Sequence, residues 1–331
     1  MGFEIPKAKN LIQRVFNVTN DKEFTEIALE VFSYQYLSNP VYNAYCNAIR
    51  KSPETVQSLA QIPFLPIQFF KTQQIQAGVF EPEIVFKSSG TTGNTSSQHF
   101  VRDISLYEKS FQDCFRSFYG NPNEYCILGL LPSYLENGDS SLVYMVDRLI
   151  KNSGHPLSGF YLYDHKKLKH TLMALEKQGQ KTIFFGVSYA LLRFAEDFPV
   201  PLNNTIIIET GGMKGREKEL TKAQLYAQLQ NAFSLDEIHS EYGMTELLSQ
   251  AYAINGIYKT PPWMKVLLRD ETDPFSLSKH TGAINVIDLA NIHSCSFIAT
   301  DDLGRLHMDG SFEVLGRLDN SDIRGCSQLA L

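Results

Sequence analysis

The chain has 331 residues, of which 43% are hydrophobic and 20% charged, with a formal net charge of -6. That length buries a large core as one big domain or two ordinary ones, and the composition is that of a soluble globular protein. The negative balance argues against nucleic acid as a partner, no run reaches the ~20 apolar residues of a membrane span, and the opening MGFEIPKAKN lacks the basic start and apolar stretch of a secretory signal.

The first sixty residues read as helical. Asn20 is placed to cap a helix with Glu23 three residues on, and Phe24, Ile27, Ala28, Val31 and Phe32 then share one face up to the stop at Pro40. Ile62-Pro63-Phe64-Leu65-Pro66 is too rich in proline for a helix or a central strand and is expected to be extended and packed. Further on, Ile84-Val85-Phe86, Cys126 to Leu131, Thr182 to Phe185 and Thr205 to Ile208 read as buried strands. Between them, residues 142–150, 166–177 and 189–196 have helical spacing. This alternation predicts α/β layers around mostly parallel strands. From about residue 263 short strands and turns take over, giving a smaller β-rich subdomain. Five scattered cysteines (Cys46, Cys114, Cys126, Cys295 and Cys326) show no CxxC spacing. They predict reduced thiols in a cytoplasmic protein, not a disulfide framework or a zinc site.

Four segments carry chemistry. Ser88-Ser89-Gly90-Thr91-Thr92-Gly93 follows a strand directly, and its glycines let successive N–H groups converge on an anion while the hydroxyls add donors. It is not a Walker A loop, because no Gly-Lys-Ser/Thr closes it; taken alone, it is equally readable as a polar turn. Tyr242-Gly243-Met244-Thr245-Glu246 combines an aromatic face for a base, a hydroxyl for a phosphate and a carboxylate for Mg²⁺. Thr300-Asp301-Asp302-Leu303-Gly304-Arg305 supplies a carboxylate able to hold two hydroxyls, and Gly316-Arg317-Leu318-Asp319 a guanidinium. Upstream, Gly211 and Gly212 lie just past a strand end, where α/β folds bind ligands.

In this order the segments resemble the signature set of adenylate-forming enzymes, the superfamily of acyl-CoA synthetases and phenylacetate–CoA ligases. The resemblance implies ATP and Mg²⁺ as cofactors. It places Ser88, Ser89, Gly90, Thr91, Thr92 and Gly93 on the phosphates, and Gly211, Gly212 and Tyr242 on adenine. It also places Thr245 and Glu246 in catalysis with Glu246 on the metal, Asp302 on the ribose, and Arg317 on ribose or α-phosphate. Two departures stand out. The phosphate loop continues Asn94-Thr95-Ser96-Ser97-Gln98 where the family has Pro-Lys, leaving Lys87, Arg102 and Lys214 as unranked candidates for the missing cation. Only twelve residues follow Asp319, where the family begins a mobile domain bearing a catalytic lysine.

That second departure is similar to the LuxE-type acyl-protein synthetases, and Ile62 to Pro66 with Phe70-Lys71 also looks like a segment of that group. The resemblance implies an adenylate-forming large domain over residues 1–317, with a tail at 318–331. It further implies activation of a fatty acid, transfer of the acyl group to Cys326, and delivery to an acyl-CoA-reductase-like or acyl-carrier protein partner. Phe185-Gly186-Val187-Ser188-Tyr189 resembles a wall of the carboxylate site, with Tyr134, Tyr144 and His155 as weaker candidates. Two other readings are carried: an acid–CoA ligase without a lid domain, and a nucleotide-binding protein that has lost catalysis.

Overall fold

A computed structural model describes residues 4–88, 96–132, 138–211 and 220–318, with side chains from residue 10 onward. The chain opens with α1 (Glu4–Val15), α2 (Asp21–Ser38) and α3 (Pro40–Ala48). Asn20 caps α2 as its sequence predicts: its Oδ1 accepts from the Glu23 N–H at 3.0 Å, and the Glu23 carboxylate accepts from the Thr19 N–H and hydroxyl in return. The five apolar residues of the predicted stripe are all buried. Pro40 both ends α2 and opens α3, where a missing N–H costs nothing.

Next come β1 (Leu65–Pro66), α4 (Phe69–Thr72), β2 (Ile84–Lys87), β3 (Gln98–Val101), α5 (Ile104–Tyr119), β4 (Cys126–Leu130), α6 (Ser141–Ser153), β5 (Gly159–Phe160) and α7 (His165–Gln178). These are followed by β6 (Thr182–Gly186), α8 (Ser188–Asp197), β7 (Thr205–Glu209), α9 (Lys222–Phe233) and β8 (His239–Tyr242). The three helices expected at 142–150, 166–177 and 189–196 lie within α6, α7 and α8. Strands β4 to β8 are parallel neighbours in the order β5-β4-β6-β7-β8. Alternation along them feeds two cores. Ile127, Ile183, Phe185 and Ile208 face α5 and α6, while Cys126, Leu128, Phe184 and Ile207 face α7, α8 and α9. One expectation needs correcting. Ile84-Val85-Phe86 forms a strand, but it pairs with β3 in a separate two-stranded hairpin, and only Phe86 is fully buried. Its partner is the antiparallel β3 and no strand of the central sheet, so its apolar run serves a ribbon.

The remaining strands are antiparallel: β9 (Ala251–Ile254), β10 (Ile257–Lys259), β11 (Met264–Arg269), β12 (Leu277–Ser278), β13 (Thr281–Asp288), β14 (Phe297–Leu306) and β15 (Phe312–Arg317). They continue the same sheet from β8 in the order β9-β10-β15-β14-β13-β11-β12. The proline-bound segment is extended as expected, with β1 pairing in parallel with β14 through Leu65 and Ile298. The sheet therefore changes from parallel to antiparallel at β8, and the chemistry-bearing segments gather around that strand's carboxyl end. Among the described residues no helix is long and apolar enough to cross a membrane. Cys46, Cys114, Cys126 and Cys295 are buried free thiols, with burial pushing the Cys126 thiol up to about 11 and Cys46 to about 12.

Candidate active site

Three strand ends converge. Beyond β6, the Ser188 N–H donates to the Gly211 carbonyl at 2.9 Å, and the Ser188 hydroxyl donates to the buried Glu209 carboxylate at the end of β7. The Gly211 N–H donates to the same carboxylate at 2.6 Å, with Gly211 at φ +79°, a left-handed conformation that favours glycine. At the end of β8, the Tyr242 hydroxyl donates to Asp302 Oδ2 at 2.9 Å. The Tyr242 ring meets Tyr258 and Phe312 edge-on, with centroids 5.9 and 5.6 Å away.

Asp302 and Arg317 sit opposite each other in the β14–β15 ladder, which brings Arg317 Nε to 3.3 Å from Asp302 Oδ1. One carboxylate oxygen thus accepts from Tyr242, and the other faces Arg317 in an ion pair. Each still has a lone pair free, so two ribose hydroxyls could be held beside Tyr242 and Arg317. Asp301, the acidic neighbour where the family has glycine, points elsewhere and accepts from Gln68 Nε2 at 2.6 Å.

Thr245 and Glu246 are held by what surrounds them. The Thr245 carbonyl lies 2.8 Å from His99 Nδ1 on β3, and the Glu246 carbonyl accepts from Asn291 Nδ2 at 2.7 Å. Asn291 Oδ1 in turn faces His99 Nε2 at 3.0 Å. Asp288 completes the cradle by accepting from the Leu248 and Ser249 N–H groups and the Ser249 hydroxyl. The Glu246 carboxyl is 5% exposed. Burial pushes it above the usual carboxylate range, while a hydrogen bond from Ser97 and the charges of Lys71 and Arg317 pull it back.

Ser88 and Ser97 close the base of the hairpin: the Ser88 N–H donates to the Ser97 carbonyl at 3.1 Å, and the Ser97 N–H donates to Ser88 Oγ at 2.9 Å. Ser89, Gly90, Thr91, Thr92 and Gly93 lie outside the described residues, as do Tyr134, Gly212, Lys214, Asp319 and Cys326.

The three loop-cation candidates fare differently from one another. Lys87 pairs with Asp139 at 2.7 Å, and Arg102 lies over the Phe80 ring. Lys71, on α4 and exposed, acts electrostatically on Glu246 instead. Its position could not be read from sequence, since only the β1–β14 pairing brings α4 to the site. Tyr144 packs between Phe86 and Tyr107 and donates to Glu108, and His155 accepts from the Leu157 N–H in a turn. Both are structural where they stand.

Among the described residues no group of three or more His, Cys, Asp or Glu could hold a metal ion. One buried carboxylate beside the Ser97 hydroxyl and two cations nevertheless fits the manner in which Mg²⁺ binds. That ion takes one or two protein carboxylates and completes its shell with phosphate oxygens and water.

The chain is an α/β protein with the large-domain fold of adenylate-forming ligases. ATP-bound MatB from Rhodopseudomonas palustris is similar with a TM-score of 0.53 and 17% identity, over 84% of this chain and 58% of that one. A 2-hydroxyisobutyryl-CoA ligase in the postadenylation state, in complex with R3-HIB-AMP, is similar with a TM-score of 0.62 and 11% identity, over 92% of this chain and 69% of that one. The chain thus spans 58% and 69% of the lengths of these two ligases. At such identities the likeness establishes the fold. No protein-family model and no curated protein matches the sequence.

Proposed function

We propose that this protein activates a carboxylic acid with ATP and Mg²⁺ as an acyl-adenylate, then passes the acyl group to Cys326 for delivery to a protein partner. The observation that carries the first half is the convergence of Tyr242, Asp302, Arg317, Thr245 and Glu246 at one end of β8 in this fold. In this reading, Asp302 and Arg317 orient the ribose and the α-phosphate. Glu246 would hold Mg²⁺, which would supply charge neutralisation at the phosphates, and Lys71 supplies the cation that the phosphate loop lacks. A substrate carboxylate oxygen attacks the α-phosphorus and pyrophosphate leaves. The Cys326 thiolate then attacks the acyl carbonyl and AMP leaves, giving a thioester.

The choice of Cys326, of a fatty acid and of a reductase or carrier partner rests on the resemblance to acyl-protein synthetases. Incubation with ATP, Mg²⁺ and radiolabelled acids, followed by a denaturing gel, tests both halves. A hydroxylamine-sensitive label that Cys326→Ser removes is the expected result. Carboxylate-dependent pyrophosphate exchange without protein label keeps adenylation and transfers the acceptor role to coenzyme A, the reading that the fold shared with a CoA ligase favours. Absence of both label and exchange overturns the proposal in favour of a nucleotide-binding protein.

A further inference from the structure

Next to Tyr242 on β8, facing the opposite side of the sheet, stands a carboxyl group that the adenylation chemistry does not use. Glu241 is 9% exposed, and among the described residues no donor reaches its carboxyl. It pairs across the β8–β9 ladder with Tyr252, so the two side chains share a face. The Tyr252 hydroxyl is buried and unbonded, and so is the amide oxygen of Gln250, two residues before it. Glu241 and Gln250 meet beneath Gly243, which is exposed. A Cβ on Gly243 would lie 2.3 Å from Glu241 Oε1 and 3.5 Å from Gln250 Cγ. Glycine at that position therefore leaves room for the carboxyl, which lies directly beneath an exposed backbone.

Buried polar atoms in native proteins are almost always hydrogen-bonded, and two unbonded ones, the Gln250 amide oxygen and the Tyr252 hydroxyl, on the face of a carboxyl that no donor reaches describe a site built for a ligand. The chemistry of the three selects the ligand. Two carboxylate oxygens and an amide oxygen are acceptors, and the phenol can also accept. The neighbouring charge is negative too: Glu209, on the adjacent strand, repels charge on Glu241, and no cation among the described residues offsets it. An ammonium group brings three donors and a positive charge, matching the acceptor count and the field at once.

Resting on the adenylation half of the reading above, we infer that Glu241, Gln250 and Tyr252 form a subsite for an ammonium group carried by the acid substrate, making this enzyme an activator of amino-substituted acids in place of the fatty acid that the resemblance implies. Without a ligand, burial and Glu209 hold the Glu241 carboxyl up at about 8. An ammonium partner pulls it back down, so binding releases a proton. The other groups around it, Tyr107, Cys114, Tyr119 and Tyr252, are raised by burial and stay protonated through the same range.

The test is calorimetric binding of glycine, β-alanine, aminobutyrate and aminovalerate, each against the unsubstituted acid of equal length, with ATP–Mg²⁺ present and pyrophosphate exchange measured in parallel. Hydrogen bonds to a charged group predict that the best amino acid binds about tenfold or more tighter than its counterpart. Its binding enthalpy should change between buffers of different ionisation enthalpy, reporting the released proton. Glu241→Gln should abolish both effects. Tyr252→Phe, which removes a hydroxyl with no partner in the fold, should weaken amine binding without lowering the melting temperature, and it serves if Glu241→Gln does not fold. Equal binding of amino and plain acids at every length overturns the subsite, as does a preference that survives Glu241→Gln. Exchange with plain acids that ignores Glu241 would leave adenylation standing and remove the subsite. Amine preference without exchange would keep the subsite and remove adenylation.

Discussion

Asp302 shows how much one side chain carries at this site. Its two oxygens meet Tyr242 and Arg317 from opposite sides, so it fixes both partners while keeping lone pairs for a ligand. Asp302→Asn preserves size but replaces one acceptor with an NH₂ and removes the charge that faces Arg317. The Arg317 side chain is 63% exposed and that of Asp302 11%, and an ion pair screened by solvent on the arginine side contributes about 1 kcal/mol or less to folding. The melting temperature should therefore move little. Nucleotide affinity should fall about tenfold to a hundredfold, the cost of one or two hydrogen bonds to a charged group. Calorimetric titration with ATP, beside a melting curve, separates the two effects. Asp302 and Arg317 were legible in sequence because each stands in a short segment of recognisable chemistry. Glu241 was not: one acid inside a buried strand breaks no period, and its isolation becomes visible only when Tyr252, Gln250 and Gly243 are placed around it.

Among the elements, the segment after β8 is held by a loop from a distant part of the chain. Residues 288–296, between β13 and β14, present Asp288 to the Leu248 and Ser249 N–H groups and Asn291 to the Glu246 carbonyl. That loop is itself pinned by α2: Gln35 donates to the Asn291 and Ile292 carbonyls and accepts from the Ser296 N–H. The N-terminal helices thereby reach the segment of Thr245 and Glu246 through a chain of buried hydrogen bonds. Asn291→Ala leaves the carbonyls of Glu246 and Cys295 without their donor in a buried site. Buried groups left unsatisfied cost about 1–3 kcal/mol each, so a loss of roughly 2–5 kcal/mol in urea unfolding is expected. Pyrophosphate exchange should drop as well, because Thr245 and Glu246 lose their register. Preserved exchange in a destabilised Asn291→Ala protein would show that the clamp serves folding alone. The helices, the parallel strands and the capping of α2 followed from local periodicity. The clamp did not, since its partners lie 45 residues apart for Asn291 and Glu246 and 256 for Gln35 and Asn291, a separation that no local pattern encodes.

Over the whole molecule, buried ionisable groups of opposite sign set how stability responds to pH. Glu241 is raised from an ordinary 4.5 to about 8 by burial and by Glu209, and burial also raises Asp288 and Glu246. His99 and His293 are lowered from 6.5 to about 4, chiefly by burial. Below 4.5 Glu241 is protonated in both folded and unfolded chains. As pH rises the unfolded chain ionises first, so stability contributed by the buried neutral acid is lost progressively until about 8 and is constant above it. The histidines run the other way. Above 6.5 they are neutral in both states, and as pH falls the unfolded chain takes up protons first, so stability is lost toward 4. The two slopes oppose each other at mildly acidic pH, and the Glu241 slope continues through neutrality. Wild-type protein should therefore be most stable on the acid side of neutrality. Glu241→Gln removes the falling limb, so its stability relative to wild type should grow by a few kcal/mol across that window and then level off. Urea unfolding of both proteins over a pH series measures the difference directly, and curves that stay parallel through neutrality would mean that Glu241 ionises as an ordinary carboxyl. Binding an amine that pairs with Glu241 should flatten the same limb in wild type while leaving the variant unchanged.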